Sequence, residues 1–365
     1  TVDGGAARRE CDAVILAVPT PVKEGVMDLS FLRAALEIVK RNLRRGLLVV
    51  VESTVSPGTT AGFIKPFLEA CGLKADEDFY LAHVPERIAP GRAIEELTSF
   101  PRVVGGVSPK STEKAMELYK VVSPELLPTD ATTAEFVKLI ENTFRDLNIA
   151  YANLLALLAE KLGIDVYEAI RLANTHPRVN IHMPGAGVGG PCLTKDPYLL
   201  IERHRDVYGV ELIQLSRKIN EYMPNHVISM VLRSLSDNGI DPSRAKVAVL
   251  GVTYKGDVDD VRESPSKAII GKLLEKVGEV VVYDPYSSEA FGGKHVSTLE
   301  EAVFKADVVV IATDHKEFRK VDLTRLRGLV SNPIIVDGRR VIDPYEAFSH
   351  GFKYYGVGFG KVVKL

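Results

Sequence analysis

Short apolar runs without alternating polar positions, separated by helical segments, are the feature that most limits how this chain can fold. Residues 12–18 (DAVILAV) and 46–51 (GLLVVV) are two such runs, and residues 29–43 between them have the spacing of an amphipathic helix. A strand that is apolar on both faces has to be buried on both faces, as in parallel sheets covered by helices. The pattern therefore predicts an α/β fold with parallel sheets.

This alternation of strand and helix occurs at both ends of the chain but not in its middle. Residues 246–283 repeat the order strand, helix, strand. The middle part instead has long helical periods, one starting at a cap in residues 132–135 and one covering residues 211–235, with a kink expected at Pro224. We therefore predict three domains, which comprise residues 1–128, 129–237 and 238–365.

The two outer parts also share a strand sequence. Residues 12–17 (DAVILA) match residues 307–312 (DVVVIA), which indicates two copies of one half of a doubly wound, Rossmann-like domain. The strand at Lys246 starts 61 residues before Asp307 (307 − 246), whereas only 11 residues precede Asp12. The first domain is thus expected to lack its first βαβ unit, at least about 50 residues (61 − 11) that normally bind the cofactor phosphates. Either the molecule or only the printed sequence lacks this unit, and a complete protein of well over about 400 residues is expected.

Composition excludes several classes of function. The 365 residues include 46 basic and 48 acidic side chains, a net charge of −2 that offers no attraction to nucleic acid or anionic membranes. We find neither an apolar stretch of about 18 residues nor a signal-peptide core in residues 1–10, so a cytoplasmic protein is predicted. The three cysteines and eight histidines have no metal-ligand spacing, so neither a disulfide framework nor a metal site is expected.

A glycine-rich stretch, residues 185–190 (GAGVGG), has the Gly-x-Gly-x-x-Gly spacing of a dinucleotide-binding turn. Pro184 rather than a strand precedes it and Pro191 rather than a helix follows it, so we reject that interpretation. The glycines either let the backbone approach a ligand closely or only shape a tight connection.

Reactive side chains follow these glycines. Cys192 stands near Lys195, whose charge favours the nucleophilic thiolate, and Asp196 lies four residues beyond the cysteine, where it could handle protons or water. Lys138 and Asn142 are four residues apart on one predicted helix face and could stabilise an oxyanion, although a solvated helix face is the ordinary explanation of such a pair. Cys11 and Cys71 have no such neighbours and are interpreted as packing residues.

Several motifs in one order along the chain make it similar to the nucleotide-sugar 6-dehydrogenases of the UDP-glucose/GDP-mannose dehydrogenase family. These motifs are residues 17–21 (AVPTP), 52–59 (ESTVSPGT), 85–92 (PERIAPGR), 136–142 (FVKLIEN), 187–196 (GVGGPCLTKD), 254–264 (YKGDVDDVRES) and 337–340 (DGRR). Residues 176–180 (HPRVN) and 220–227 (NEYMPNHV) resemble the branch that acts on UDP-N-acetylhexosamines. The resemblance implies UDP-N-acetyl-D-mannosamine as the first candidate substrate, with UDP-N-acetylglucosamine or UDP-glucose as alternatives.

The resemblance further implies oxidation of an alcohol to an acid in two hydride transfers, with two NAD per sugar. Cys192 would add to the aldehyde formed first, and the thiohemiacetal would then become a thioester that water cleaves. Lys138 and Asn142 would stabilise the oxyanion, Asp196 and Thr54 would act on the water, and Glu86 would position the substrate or transfer a proton.

The binding residues implied by the resemblance form two sets. Those assigned to NAD are Pro19, Thr20, Thr54, Lys195 and Arg262. Those assigned to the UDP-sugar are Glu86, Arg87, Lys138, Asn142, Arg178, Asn180, Gly187, Gly189, Tyr254, Lys255 and Arg339. The last domain would hold the UDP moiety, the central helices would form a homodimer or a higher homo-oligomer, and Arg178 would reach the substrate of a neighbouring subunit.

Two other classes of protein stay open at this point. A nucleotide-sugar binding protein without activity is possible because half of the cofactor site is not in the sequence. A sugar-nucleotide epimerase would also use NAD, but it needs a Tyr-x-x-x-Lys pair on a helix, which the sequence does not supply convincingly, and it has no use for Cys192.

Overall fold

The computed structural model describes residues 11–23, 25–88 and 93–361. The motif residues 89–92 and the opening residues 1–10, in which no signal-peptide core is predicted, lie outside these ranges. By its internal contacts the chain forms two compact units, residues 1–144 with 195–210, and residues 145–194 with 211–365. The division into three domains is a different kind of boundary and stays a prediction.

The first unit contains a five-stranded sheet and a small two-stranded one. Its strands are β1 (Ala13–Leu16), β2 (Val22–Lys23), β3 (Val26–Met27), β4 (Leu48–Val51), β5 (Tyr80–His83), β6 (Arg102–Gly106) and β7 (Leu126–Asp130). The large sheet has the order β1-β4-β5-β6-β7, and the antiparallel pair β2-β3 stands apart. Strands β1, β4 and β5 are parallel, as predicted, and so are β6 and β7.

One pair in this sheet differs from the parallel arrangement that we expected, because β6 runs antiparallel to β5. All five residues of β6 are buried. Burial on both faces dictates an apolar sequence but contains no information about the direction of a strand, so the sequence pattern could not reveal this reversal.

The helices of the first unit cover the sheet. They are α1 (Ser30–Lys40), a π-helical turn (Thr60–Ile64), α2 (Lys65–Glu69), α3 (Ala93–Ser99), α4 (Pro109–Tyr119), the start of α5 (Ala131–Leu162) and α7 (Asp196–Ile201). Helix α1 buries Leu32, Leu36 and Val39, which recur at the helical period and pack in one core with residues of β4. Asp130 caps α5 by accepting the Thr133 N–H at 2.9 Å, so the cap that we placed in residues 132–135 was wrong.

The second unit contains a six-stranded, wholly parallel sheet. Its strands are β8 (Lys246–Leu250), β9 (Glu279–Tyr283), β10 (Lys294–His295), β11 (Val308–Ile311), β12 (Ile334–Asp337) and β13 (Lys353–Gly356). They lie in the order β10-β9-β8-β11-β12-β13, which is the strand order 3-2-1-4-5-6 of a dinucleotide-binding fold. In such sheets ligands bind beyond the carboxyl ends of the strands where the order reverses, here between β8 and β11.

Helices of very different lengths accompany this sheet. They are the rest of α5, α6 (Val166–Ala173), α8 (Glu211–Asp237), α9 (Pro265–Leu274), α10 (Leu299–Val303), α11 (Leu323–Leu329) and α12 (Pro344–Ser349), with 3-10 turns at Pro242–Arg244 and Phe318–Lys320. Helix α8 includes Pro224 within its length, with the side chain buried. Within the described residues, no helix is both long and apolar enough to cross a membrane.

Candidate active site

Thr20, Thr54 and Lys195 form a polar cluster in the first unit. Thr20 follows β1 and Thr54 follows β4, and because these parallel strands are neighbours their carboxyl ends share one edge of the sheet. The buried Thr20 hydroxyl donates to the Thr54 carbonyl at 2.6 Å. The Lys195 ammonium donates to the Thr20 carbonyl at 3.1 Å and lies 3.3 Å from its hydroxyl. Three residues assigned to NAD are thus together, and the exposed Pro19 adjoins them.

Asp196 is a fully buried carboxylate at the first turn of α7. The Asn142 amide on α5 donates to its Oδ2 at 2.6 Å, whereas Oδ1 has no hydrogen-bond partner among the described residues. Burial raises the pKa of Asp196, while the Asn142 hydrogen bond and the charges of Lys195 and Lys138 oppose that rise. A buried carboxyl with a raised pKa is suited to take up a proton from a reacting group.

Glu135 also belongs to this unit, and sequence analysis missed its role. Its side chain is 1% exposed, and its carboxylate accepts the backbone N–H groups of Gly58 at 2.5 Å and Thr60 at 2.7 Å. It therefore holds the turn that follows Thr54. The available signal was its position seven residues before Asn142, which places both residues on one face of α5.

Glu86 and Arg87 are half-buried and already bound within the first unit. Glu86 accepts the N–H of Ile88. The Arg87 guanidinium forms a fork with the Glu141 carboxylate, with distances of 3.0 and 2.5 Å, and donates to the Pro101 carbonyl at 3.0 Å. Substrate contact by these two residues stays a prediction.

The glycine-rich segment belongs to the second unit, and no strand precedes it. A Cβ on Gly187 would lie 3.1 Å from the Pro224 ring, and one on Gly190 would lie 2.7 Å from the Tyr254 ring. Gly189 has even less room, 2.4 Å from the Glu263 carbonyl. The close approach at these glycines is therefore to the protein itself, which explains the small residues without a ligand.

Cys192, which is half-buried, lies two residues after this segment and within electrostatic range of Tyr254 and Arg262. The Gly190 N–H donates to the Arg262 carbonyl at 3.2 Å. Burial raises the pKa of Tyr254, and its electrostatic interactions with Asp260 and Cys192 raise that pKa further. Arg262 Nη2 donates a hydrogen bond to Asp260 Oδ2 at 2.6 Å. This bond is the main cause of the raised pKa of Arg262, and the electrostatic interaction with Cys192 contributes to the same rise.

A buried histidine holds the turn after β8, which contains Tyr254 and Lys255. His315 Nδ1 accepts the Asp257 N–H at 3.0 Å, so its Nε2 holds the proton that faces Asp284 Oδ2 at 2.9 Å. Asp257, His315 and Glu317 have possible metal-ligand atoms within 4.8 Å of one another, but both nitrogens of His315 already have partners. Sequence analysis missed this histidine, although it follows β11 at the ligand edge of the sheet.

The remaining predicted residues of the second unit lie on two other segments. Arg339 follows β12, and its Nε donates to the Ala312 carbonyl at 3.1 Å. Arg178 and Asn180 are exposed, and the Asn148 amide holds the Asn180 carbonyl at 2.7 Å.

The structure thus gathers the predicted residues into a set for each unit. The first unit holds Pro19, Thr20, Thr54, Glu86, Arg87, Lys138, Asn142, Lys195 and Asp196; the second holds Arg178, Asn180, Gly187, Gly189, Cys192, Tyr254, Lys255, Arg262 and Arg339.

Comparison with known families assigns all three parts of the chain. Residues 1–123 match the NAD binding domain of the UDP-glucose/GDP-mannose dehydrogenase family, residues 132–222 its central domain, and residues 248–344 its UDP binding domain.

Individual relatives agree with this assignment. The chain is 46% identical to a UDP-N-acetyl-D-mannosamine dehydrogenase of Pyrococcus horikoshii over 95% of its own length and 81% of the relative. A solved structure of UDP-D-ManNAc dehydrogenase from that organism has a TM-score of 0.90 and 45% identity, covering 97% of this chain and 82% of the other. The NDP-N-acetyl-D-galactosaminuronic acid dehydrogenase of Methanosarcina mazei has a TM-score of 0.86 and 39% identity, with 98% and 79% covered. The chain therefore belongs to the UDP-glucose/GDP-mannose dehydrogenase family and is an NAD-dependent dehydrogenase of UDP-sugars.

Proposed function

We propose that the protein oxidises the C6 hydroxyl of a UDP-N-acetylhexosamine to the uronic acid, with UDP-N-acetyl-D-mannosamine as the preferred sugar. The buried Asp196, held by Asn142 within the influence of Lys138 and Lys195, is the observation that supports this most directly. It is a proton acceptor beside donors suited to an oxyanion. The names of the relatives support a hexosamine. UDP-N-acetylglucosamine and UDP-glucose are the alternatives to be tested.

The carboxyl edge of β1 and β4 is proposed to hold the nicotinamide side of the cofactor. Pro19, Thr20 and Thr54 would line it, and the Lys195 ammonium already lies at this edge, 3.1 Å from the Thr20 carbonyl. Arg262, in the second unit, is assigned to either the cofactor or the diphosphate. When bound, NAD accepts a hydride in each of the two oxidations, so that two NAD are reduced per sugar.

Cys192 is proposed to make the second oxidation possible. Its thiolate sulfur adds to the C6 aldehyde, and the oxyanion that forms is stabilised by Lys138 and Asn142. Loss of a hydride from C6 converts this thiohemiacetal into a thioester. Asp196, assisted by Thr54, takes a proton from a water molecule that attacks the thioester, which releases the uronate and restores the thiolate.

Chain connectivity supports a joint action of Cys192 with the residues around Lys195. Cys192 and Lys195 are three positions apart, and an extended chain spans at most about 3.6 Å per residue, or about 11 Å between their Cα atoms. The backbone of Cys192 therefore stays within about 11 Å of the backbone of Lys195 whatever path the chain takes.

The second unit is proposed to hold the UDP moiety. Its strand order places the turn after β8, with Tyr254 and Lys255, and the turn after β12, with Arg339, at the ligand edge of the sheet. Two cations at this edge suit a diphosphate, and Asn180 with the glycine-rich segment would contact the sugar. Glu86 and Arg87 are proposed to orient the sugar or to transfer a proton.

We also propose a homodimer formed through the central helices. In the second unit, α5 exposes a row of large apolar side chains at the helical spacing, namely Tyr151, Leu154, Leu158 and Leu162. An exposed apolar row of this kind commonly marks a protein interface, and the exposed Arg178 is free to serve a neighbouring subunit. Sedimentation velocity should show a dimer that Leu158→Glu weakens; a monomer at micromolar concentration contradicts the proposal.

The reaction is tested by measuring NADH with UDP-N-acetylmannosamine, UDP-N-acetylglucosamine and UDP-glucose in parallel. We expect close to two NADH per sugar and the highest kcat/KM for the first. Cys192→Ser should stop at a covalent adduct or at the aldehyde level, with no more than one NADH per sugar. Cys71→Ser is the matched control, because Cys71 is exposed, which corrects its interpretation as a packing residue. Full uronate production by Cys192→Ser would refute the mechanism.

A further inference from the structure

Four buried polar side chains link the two ends of the segment that presents Cys192. Asn153 on α5 accepts the Gly185 N–H at 2.9 Å and donates to the Asn220 side chain on α8 at 2.9 Å. Asn220 in turn donates to the Asp146 carboxylate at 2.8 Å. Arg217 completes the chain, because its Nη1 donates to Asp146 at 2.6 Å and, at the longer distance of 3.4 Å, to the Leu193 carbonyl. Gly185 begins the glycine-rich segment and Leu193 directly follows Cys192.

This network adds little stability to the fold, because it removes two charged side chains from water. Arg217 and Asp146 are 2% and 1% exposed, and burial raises the pKa of Asp146 against the opposing effect of Arg217. A buried ion pair of this kind generally contributes little more stability than apolar side chains of the same volume would, because both charges lose their water. Stability alone therefore does not account for the network, whereas a need to fix one conformation does.

The same segment is held between its ends as well. Gly187, with φ of +125°, leaves room for the Pro224 ring, which lies on α8 four residues after Asn220. Gly190 rests against the Tyr254 ring, and its N–H donates to the Arg262 carbonyl. Residues 185–193 are thus fixed at the start, the middle and the end, and the backbone position of Cys192 follows from these three attachments.

We infer that Asp146, Asn153, Arg217 and Asn220 are positioning residues that place the Cys192 sulfur for addition to the C6 aldehyde. The inference rests on the proposed function, since it takes Cys192 as the nucleophile named there. It goes further by predicting that these four residues act on the second oxidation and leave the first unchanged. The thiol participates only after the aldehyde has formed, so a displaced thiol slows the step from aldehyde to acid.

Two variants test the inference with different risks to folding. Asn153→Ala releases the Gly185 end, and Arg217→Lys keeps a cation opposite Asp146 but loses the planar fork that also reaches Leu193. Displacement of a reacting group by about 1 Å can cost about 100-fold in rate, so we expect oxidation of the sugar aldehyde to fall about 10- to 100-fold in each variant. NADH per sugar should drop from two towards one, and the released aldehyde should be trapped by hydroxylamine.

The matched control is Asn174→Ala. Asn174 also holds the backbone of this connection with two hydrogen bonds, to the N–H and the carbonyl of Ile181, but it does so before the glycines. We expect it to leave the ratio of the two oxidation rates unchanged. An equal change of that ratio in Asn153→Ala and Asn174→Ala would overturn the inference.

A double-mutant comparison separates this inference from the proposed function. In the Cys192→Ser background only the first oxidation occurs, so adding Asn153→Ala or Arg217→Lys should not change its rate. If either addition lowers that rate as much as it lowers aldehyde oxidation in the wild-type background, the network acts on the whole site and the inference is wrong. If Cys192→Ser alone still gives two NADH per sugar, the proposed mechanism itself fails.

Discussion

Replacement of Glu135 tests whether a single buried carboxylate holds the turn that presents Thr54. The Glu135 side chain is 1% exposed and accepts two backbone N–H groups, from Gly58 and Thr60. The same turn is also held by Glu202 at Ser56 and by Arg203, which donates to the Thr59 hydroxyl at 3.2 Å. Loss of Glu135 should therefore loosen the turn without unfolding it.

The expected loss of stability follows from the exposure of the two donors. Thr60 is fully buried, so its N–H would stay unsatisfied in Glu135→Ala, at a cost of about 1–3 kcal/mol. Gly58 is half-buried and can reach water, so its contribution is about 1 kcal/mol. The free energy of unfolding should fall by about 2–4 kcal/mol in Glu135→Ala and by about 1–2 kcal/mol in Glu135→Gln, which keeps one acceptor oxygen.

Urea unfolding measures these changes, with Glu141→Gln as the control on the same helix. Glu141 forms a bond of similar length with Arg87, but the two side chains are 35% and 30% exposed, so breaking that pair should cost less than about 1 kcal/mol. We further expect kcat to fall about 10-fold in Glu135→Ala because Thr54 loses its fixed position. Equal urea midpoints for Glu135→Ala and wild type, or a larger loss in Glu141→Gln, would refute the argument.

Two further predictions concern buried groups whose protonation is coupled to folding. Burial lowers the pKa of His83 to about 3, so between pH 6.5 and pH 3 the unfolded chain binds the proton more tightly and stability falls as the pH falls. The free energy of unfolding, measured with urea, should be about 2 kcal/mol lower at pH 5 than at pH 8 because of His83. His83→Gln should remove this part of the pH dependence, and an unchanged profile would show that His83 is not its source. Because burial raises the pKa of Asp196, the native state holds its proton more tightly, and the contribution of Asp196 to the free energy of unfolding should decrease as the pH rises above the ordinary carboxyl range. Asp196→Asn should therefore be at least as stable as wild type at pH 8 while uronate formation falls about 100-fold or more, and a parallel loss of stability and activity would contradict this.

The sequence predicted those parts of the candidate site that strand ends bring together. Thr20 and Thr54 each follow an apolar run, and neighbouring parallel strands place such positions at one edge, as observed. Asn142 was linked to Lys138 by helical spacing, but its contact with Asp196 was not predicted because 54 residues separate the two. Glu135 was mistaken for a helix cap because its true partners lie 75 and 77 residues away.

By itself, the sequence determined the α/β class, the family and, for the strands that it predicted, their bounds to within about two residues. These properties depend on backbone hydrogen bonds, apolar periods and motifs that extend over a few neighbouring residues. Only the tertiary structure decided that β6 runs antiparallel to β5, that the glycines face Pro224 and Tyr254, and that Asp146 and Arg217 are buried together. Polar side chains pair there across long stretches of chain because burial removes their water, and no local pattern specifies which partner replaces it.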